Sequence, residues 1–403
     1  MMLNPVSFAR FRAAFRRKGT LVVSLAMCTL GLVPYVSAGE SRIIKYDAPN
    51  SGAGPDQGTT STGINVGGTI TGYVTDNNNG THGFVRTRAG QFIEFDAPGA
   101  DPVVGCTCPI SINDFEAVAG LSIDTNSVSH GFLRSLDGKI TLFDVSEAGT
   151  AAGQGTVPSN NNDFGVIAGN YVDANGVAHG FLRIPNGNIT TFDPSGSQGT
   201  YPNNVNNWGV TAGTYYDANF VLHGFLRNPL GKITTFDVPG AFTDASSIGT
   251  WNAFVSDLGV VAGSYYDAKT FVEYGYLRTP NGHFTKFAAP GAGTTQFTGT
   301  NVFAVNLQGA ITGYGADDNF DALAFVRTPD GKTTSFDIPG QIEGAGNDYG
   351  SAGWAINAEG VVTGRWRDTN YALHGFIRRP GTFSGTPERL GGFIPPQPPR
   401  SFE

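Results

Sequence analysis

A five-residue motif, His-Gly-Phe-x-Arg, returns about every 49 residues along this chain, and that recurrence constrains the fold more than any other feature. It is intact at His82 to Arg86, His130 to Arg134, His179 to Arg183, His223 to Arg227 and His374 to Arg378. Altered copies run Tyr274 to Arg278 and Leu323 to Arg327, so the arginine is kept in all seven. A unit of this length cannot bury an apolar face alone and must stack on its neighbours.

Two further markers share the period. A Gly, three mostly small or apolar residues and a second Gly precede an Asp, as at Gly72 with Asp76, Gly169 with Asp173 and Gly364 with Asp368. An aromatic residue followed by Asp comes after the motif, as at Phe95-Asp96 and Phe192-Asp193, while Phe287-Ala288 has lost the acid. Each unit reads as four short strands separated by turn residues. The first ends near an Asn such as Asn65 or Asn357, and Asn206 to Gly209 suits a type I turn. The 57 Gly, 29 Phe and 14 Tyr fit many tight turns between aromatic-rich strands. Placing Asp76 opposite His82 predicts that Gly72 faces Arg86 across the hairpin, with room for the guanidinium over the glycine.

The chain ends are complementary. Arg42 to Asp47 reads as a fourth strand with no unit before it, and the last unit does not continue into a fourth strand after Arg378. A strand from one terminus completing the last unit buries two sheet edges. A solenoid explains a repeat without explaining these ends. The fold class expected is therefore all-β, a seven-bladed β-propeller of four-stranded blades closed by an N-terminal strand. It spans 39–380 and is followed by a Pro-rich tail at 381–403.

Arg10, Arg12, Arg16, Arg17 and Lys18, the apolar run Leu21 to Val33 and the small residues Val36-Ser37-Ala38 read as a signal peptide over 1–38. The expected location is secreted, extracellular or periplasmic, with no membrane span after cleavage. The whole chain carries 25 basic and 33 acidic side chains; removing the leader's five basic ones leaves 20 against 33, a net charge of −13. Such a surface excludes nucleic acid as a partner. The two remaining cysteines, Cys106 and Cys108, stand one residue apart as a strained disulfide or as two thiols, too few to frame the fold.

These residues resemble the bacterial extracellular repeat family named for His-Ala-Phe, over about Arg42 to Arg379. This chain has Gly where that motif has Ala, except at Ala324. The resemblance implies a secreted or surface protein and brings no settled activity and no catalytic residues.

A His and an Asp present in nearly every unit read as structural locks, since an active site needs one constellation and not several. The fifth unit lacks both its His (Tyr274) and the aromatic-Asp acid (Ala288), which hints that these groups meet. Loops such as Asp173-Ala174-Asn175-Gly176 read as Asn-Gly turns in preference to calcium sites, because each brings one or two carboxylates. His283 reads as a solvated turn residue. No cofactor, metal or catalytic residue is expected, and a monomer is. The second-to-third turns and the links between units open on one face, where Asp101 to Pro109, Phe242 to Trp251 and Glu343 to Trp354 are least regular. Trp251, Tyr349 and Trp354 lie in those segments and could stack on sugars. Two functions fit: a secreted non-catalytic binding or scaffold protein for glycan or a cell-surface component, and a polysaccharide lyase or glycoside hydrolase.

Overall fold

The structure, a computed structural model, describes residues 41–101, 103, 105–244, 249–344 and 349–381. The leader read at 1–38, its cleavage point and the tail beyond Gly381 lie outside these residues. Every regular element described is a β-strand. The strands pair as antiparallel groups of four, and the third is typical: Gly155–Asn161, Ile167–Val172, Ala178–Arg183 and Ile189–Phe192. Seven such groups occupy the described chain. The seventh takes its fourth strand from the other end of the sequence, with Arg42–Tyr46 running antiparallel to Leu373–Arg379.

The motif residues divide their work between a unit and the one before it. His179 Nδ1 lies 2.7 Å from Oδ2 of Asp193, the residue that follows the fourth strand of its own unit. Gly180 pairs with Phe192, and a Cβ there would come within 2.8 Å of the Phe192 ring. Phe181 and Arg183, on the strand face opposite Gly180, grip Phe143 of the preceding unit. The Phe181 ring meets it edge-on at 6.2 Å and the Arg183 guanidinium lies 4.7 Å from its centroid. This cation–π contact recurs at all seven arginines, at 4.5 to 5.1 Å. Phe84, Phe132, Phe181, Phe225, Phe325 and Phe376 are fully buried in these seams.

One expected register is corrected. Gly72 faces Phe84, and Arg86 faces Ile70. The same offset holds in the fifth unit, where Gly263 faces Tyr276. The acid is not a strand residue: it opens the turn, as Asp173 does by accepting the backbone N–H groups of Asn175 and Val177 at 2.9 and 2.8 Å. That moves the pairing by two. The constant glycine is required by a close approach, since a Cβ on Gly169 would sit 2.3 Å from the Val157 carbonyl oxygen and 2.7 Å from the Phe181 ring.

The hint about His and the aromatic-Asp acid holds geometrically. His82, His130, His179 and His223 each place Nδ1 within 3.0 Å of the Asp that follows the fourth strand of their unit. His374 does the same with Asp47, at 2.8 Å. Where the fifth unit has Tyr274 and Ala288, Lys286 sits over the Tyr274 ring and 3.4 Å from Asp267. Cys106 and Cys108 are joined as a disulfide at the start of the first strand of unit two.

Candidate functional site

An up-and-down four-stranded unit places its second-to-third turns and its links to neighbours at one end, and its first-to-second turns at the other. Each end collects side chains of a different kind.

The link end is aromatic over units four to seven. Phe220, Phe271, Phe320 and Tyr371 occupy equivalent turn positions with φ between 59° and 66°. The equivalent residues in the first three units are Asn79, Ser127 and Gly176. A left-handed backbone costs a bulky residue energy that Gly and Asn largely avoid. Phe220, Phe320 and Tyr371 are nevertheless exposed, as are Tyr201, Phe297 and Trp251.

Trp251, 39% exposed, and Trp354 are strand residues, contrary to the loop positions expected; they belong to Thr250–Val255 and Tyr349–Ile356. Trp354 is half-buried, stacked on Phe303 at 4.9 Å with the Arg365 guanidinium 5.2 Å from its ring. No ring contact among the described residues joins it to Trp251. The Tyr349 side chain lies outside the described residues. Beside Trp251 stands a network that sequence reasoning missed. Asn252 Nδ2 reaches Asn301 Oδ1 at 3.4 Å, and Asn301 Nδ2 donates to the buried Glu273 at 2.9 Å. The available signal was a break in the repeat: Thr81, Ser129, Ala178, Leu222, Ala322 and Leu373 stand where Glu273 does.

The opposite end holds a belt of amides. Nδ2 of Asn65, Asn113, Asn162 and Asn206 each donates to the carbonyl of the equivalent residue in the next unit, at 2.9 to 3.2 Å. Asn306 donates to Asn357, and Asn357 donates to Asn65 across 292 residues of sequence. Ser256 stands in the one unit without such an amide. The belt borders a cavity of about 160 Å³ lined by first-strand ends from all seven units. Asp114, Asp163 and Asp257 reach its edge. Burial, reinforced by Asp163, pushes the Asp114 and Asp257 carboxyls above the usual carboxylate value. The middle residues of these turns were also missed, although they vary within a frame that is Asn-x-x-Gly in five of the seven units, Glu116 and Ser256 being the exceptions. His283 is exposed in its turn.

No protein-family model matches the chain, and no curated protein does. Solved structures resemble it in fold. A streptogramin B lyase is similar over 84% of this chain and 98% of its own, at 13% identity and a TM-score of 0.54. The lectin BP39L of Burkholderia pseudomallei is similar over 83% of this chain and 99% of its own, at 11% identity and a TM-score of 0.50. At these identities the likeness concerns an all-β, propeller-like fold and nothing finer. No helix among the described residues is long and apolar enough to cross a membrane.

Proposed function

We propose that this chain is a seven-bladed β-propeller, closed by its N-terminal strand, exported from the cell, and that it binds glycan without turning it over. Closure is supported by the pairing of Arg42–Tyr46 with Leu373–Arg379 and by the bond from Asn357 to Asn65. Export is supported by the basic, apolar and small-residue order of 1–38 and by the resemblance of the motif to extracellular repeats.

The observation that carries the binding reading is the aromatic link end. Four aromatic residues are held in left-handed turns there, and three of them, Phe220, Phe320 and Tyr371, stay exposed at a backbone cost, as do Trp251 and Tyr201 on the same end. Flat rings with a wet edge suit the apolar faces of sugars. The Asn252–Asn301–Glu273 network anchors the strand next to Trp251 and singles out the seam of units five and six.

The test is a glycan array and a glycan-turnover screen on the exported protein, whose N-terminal sequence is expected to begin at Gly39. Binding should fall by about tenfold in Trp251→Ala, equivalent to ~1.4 kcal/mol, with the melting temperature unchanged. Turnover of any glycan, or binding indifferent to Trp251, sinks the reading.

A further inference from the structure

The amide end carries a surface that glycan binding does not use. In units two to five the turn residue after the belt position is Asp114, Asp163, Asn207 or Asp257, and the next is Phe115, Phe164, Trp208 or Leu258. Backbone N–H groups tie these turns side by side. Asp114 donates to Asp163 Oδ1 at 2.8 Å, Asp163 to Asn207 Oδ1 at 3.0 Å, and Asn207 to Asp257 Oδ1 at 2.9 Å. The result is an apolar arc over four neighbouring units with carboxylates inside it. Phe115 is 60% exposed and Trp208 71%. The remaining units have Gly67, Gln308 and Glu359 at the same turn position, so the arc has defined ends.

A contiguous exposed patch of large apolar side chains marks an interaction surface. Its charge selects among occupants. Among the described residues, no ion pair joins Asp114, Asp163 or Asp257 to a Lys, Arg or His within 4.0 Å. Partly buried carboxylates that repel one another favour an incoming cation. A second copy of this chain would bring the same carboxylates face to face, and an anionic membrane would be repelled.

We propose that this arc docks a second protein, which covers Phe115, Phe164, Trp208 and Leu258 with apolar side chains and sets a Lys or Arg among Asp114, Asp163 and Asp257.

The test measures binding of the mature protein to synthetic peptides in which one Lys is flanked by Leu and Phe. Matched peptides carry neutral norleucine in place of the Lys. Phosphatidylcholine vesicles and sedimentation of the protein alone complete the set. The Lys peptides should bind, and the norleucine ones should bind roughly tenfold more weakly. Trp208→Ser should lower Lys-peptide binding by a similar factor. So should Asp114→Asn with Asp257→Asn, since the Asn Oδ1 atoms can still accept the backbone bonds of Val66 and Asn207. Glycan binding should not move, and the melting temperature should not fall. Equal binding of both peptide sets, no peptide binding, vesicle binding lost in Trp208→Ser, or a dimer that Trp208→Ser dissolves would each overturn the proposal.

Discussion

The guanidinium of Arg183 is largely buried and its Nε finds no hydrogen-bond acceptor among the described residues. Its contribution is therefore packing and cation–π attraction to Phe143, across the seam between units two and three. Arg183→Ala is expected to lower stability by about 1–3 kcal/mol, as loss of a buried contact does, with glycan binding intact; chemical denaturation measures it. Arg183→Lys should recover only part, because an ammonium cannot lie flat on the ring. Loss of binding at unchanged stability would make the arginine a ligand contact. The Asp residues of the second-to-third turns are local devices too: backbone hydrogen bonds from the turn hold Asp124 and Asp173 below the usual carboxylate value.

Between elements, the histidines of five units help to hold the fourth strand. His374 bridges Asp47, just after the N-terminal strand, at 2.8 Å and Asp368 at 3.5 Å, and its ring stacks on Trp366 at 4.4 Å. Lys45 is the nearby cation, 4.9 Å from the Trp366 ring. The hydrogen bond to Asp47, reinforced by the charges of Asp47 and Asp368, raises the His374 pKa above its ordinary 6.5 despite burial. A raised folded-state pKa gives stability that is fully present below the unfolded value and fades as pH rises through the folded one. His374→Leu, which copies Leu323 of the sixth unit, should therefore cost most below about pH 6.5 and progressively less above it. For a partly solvated pair the cost should be about 0.5–1 kcal/mol. Melting curves across pH decide it, and a gap that widens toward high pH would contradict the bridge.

At the scale of the molecule, the amide belt makes closure measurable. Asn357 and Asn162 donate the same bond, the first from the last unit to the first and the second between neighbours in sequence. Each also caps its own turn through Oδ1, a role Ser256 fills through Oγ toward Val260 N. Asn357→Ser and Asn162→Ser should thus lose the inter-unit bond while keeping the cap, each costing roughly 1–2 kcal/mol. Equal costs, by thermal or denaturant unfolding, indicate a closed ring. A neutral Asn357→Ser beside a destabilising Asn162→Ser would mean that the first and last units do not hold one another.

The period, the four strands of each unit and the complementary ends were legible in the chain, because strand alternation and turn chemistry are local and seven copies average out exceptions. So was the link between each His and the following Asp, betrayed by their joint loss at Tyr274 and Ala288. The partners of the motif's Phe and Arg were not, since Phe143 belongs to a different unit from Phe181 and Arg183, and only packing of unit on unit brings them together. Nor was the register, because an Asp that caps a turn and an Asp that ends a strand look alike in sequence. The candidate surfaces were the least legible. Trp251 was singled out by its residue type, but the turn residues that differ between units, Asp114, Phe115 and Trp208 among them, become a surface only when neighbouring units set them side by side.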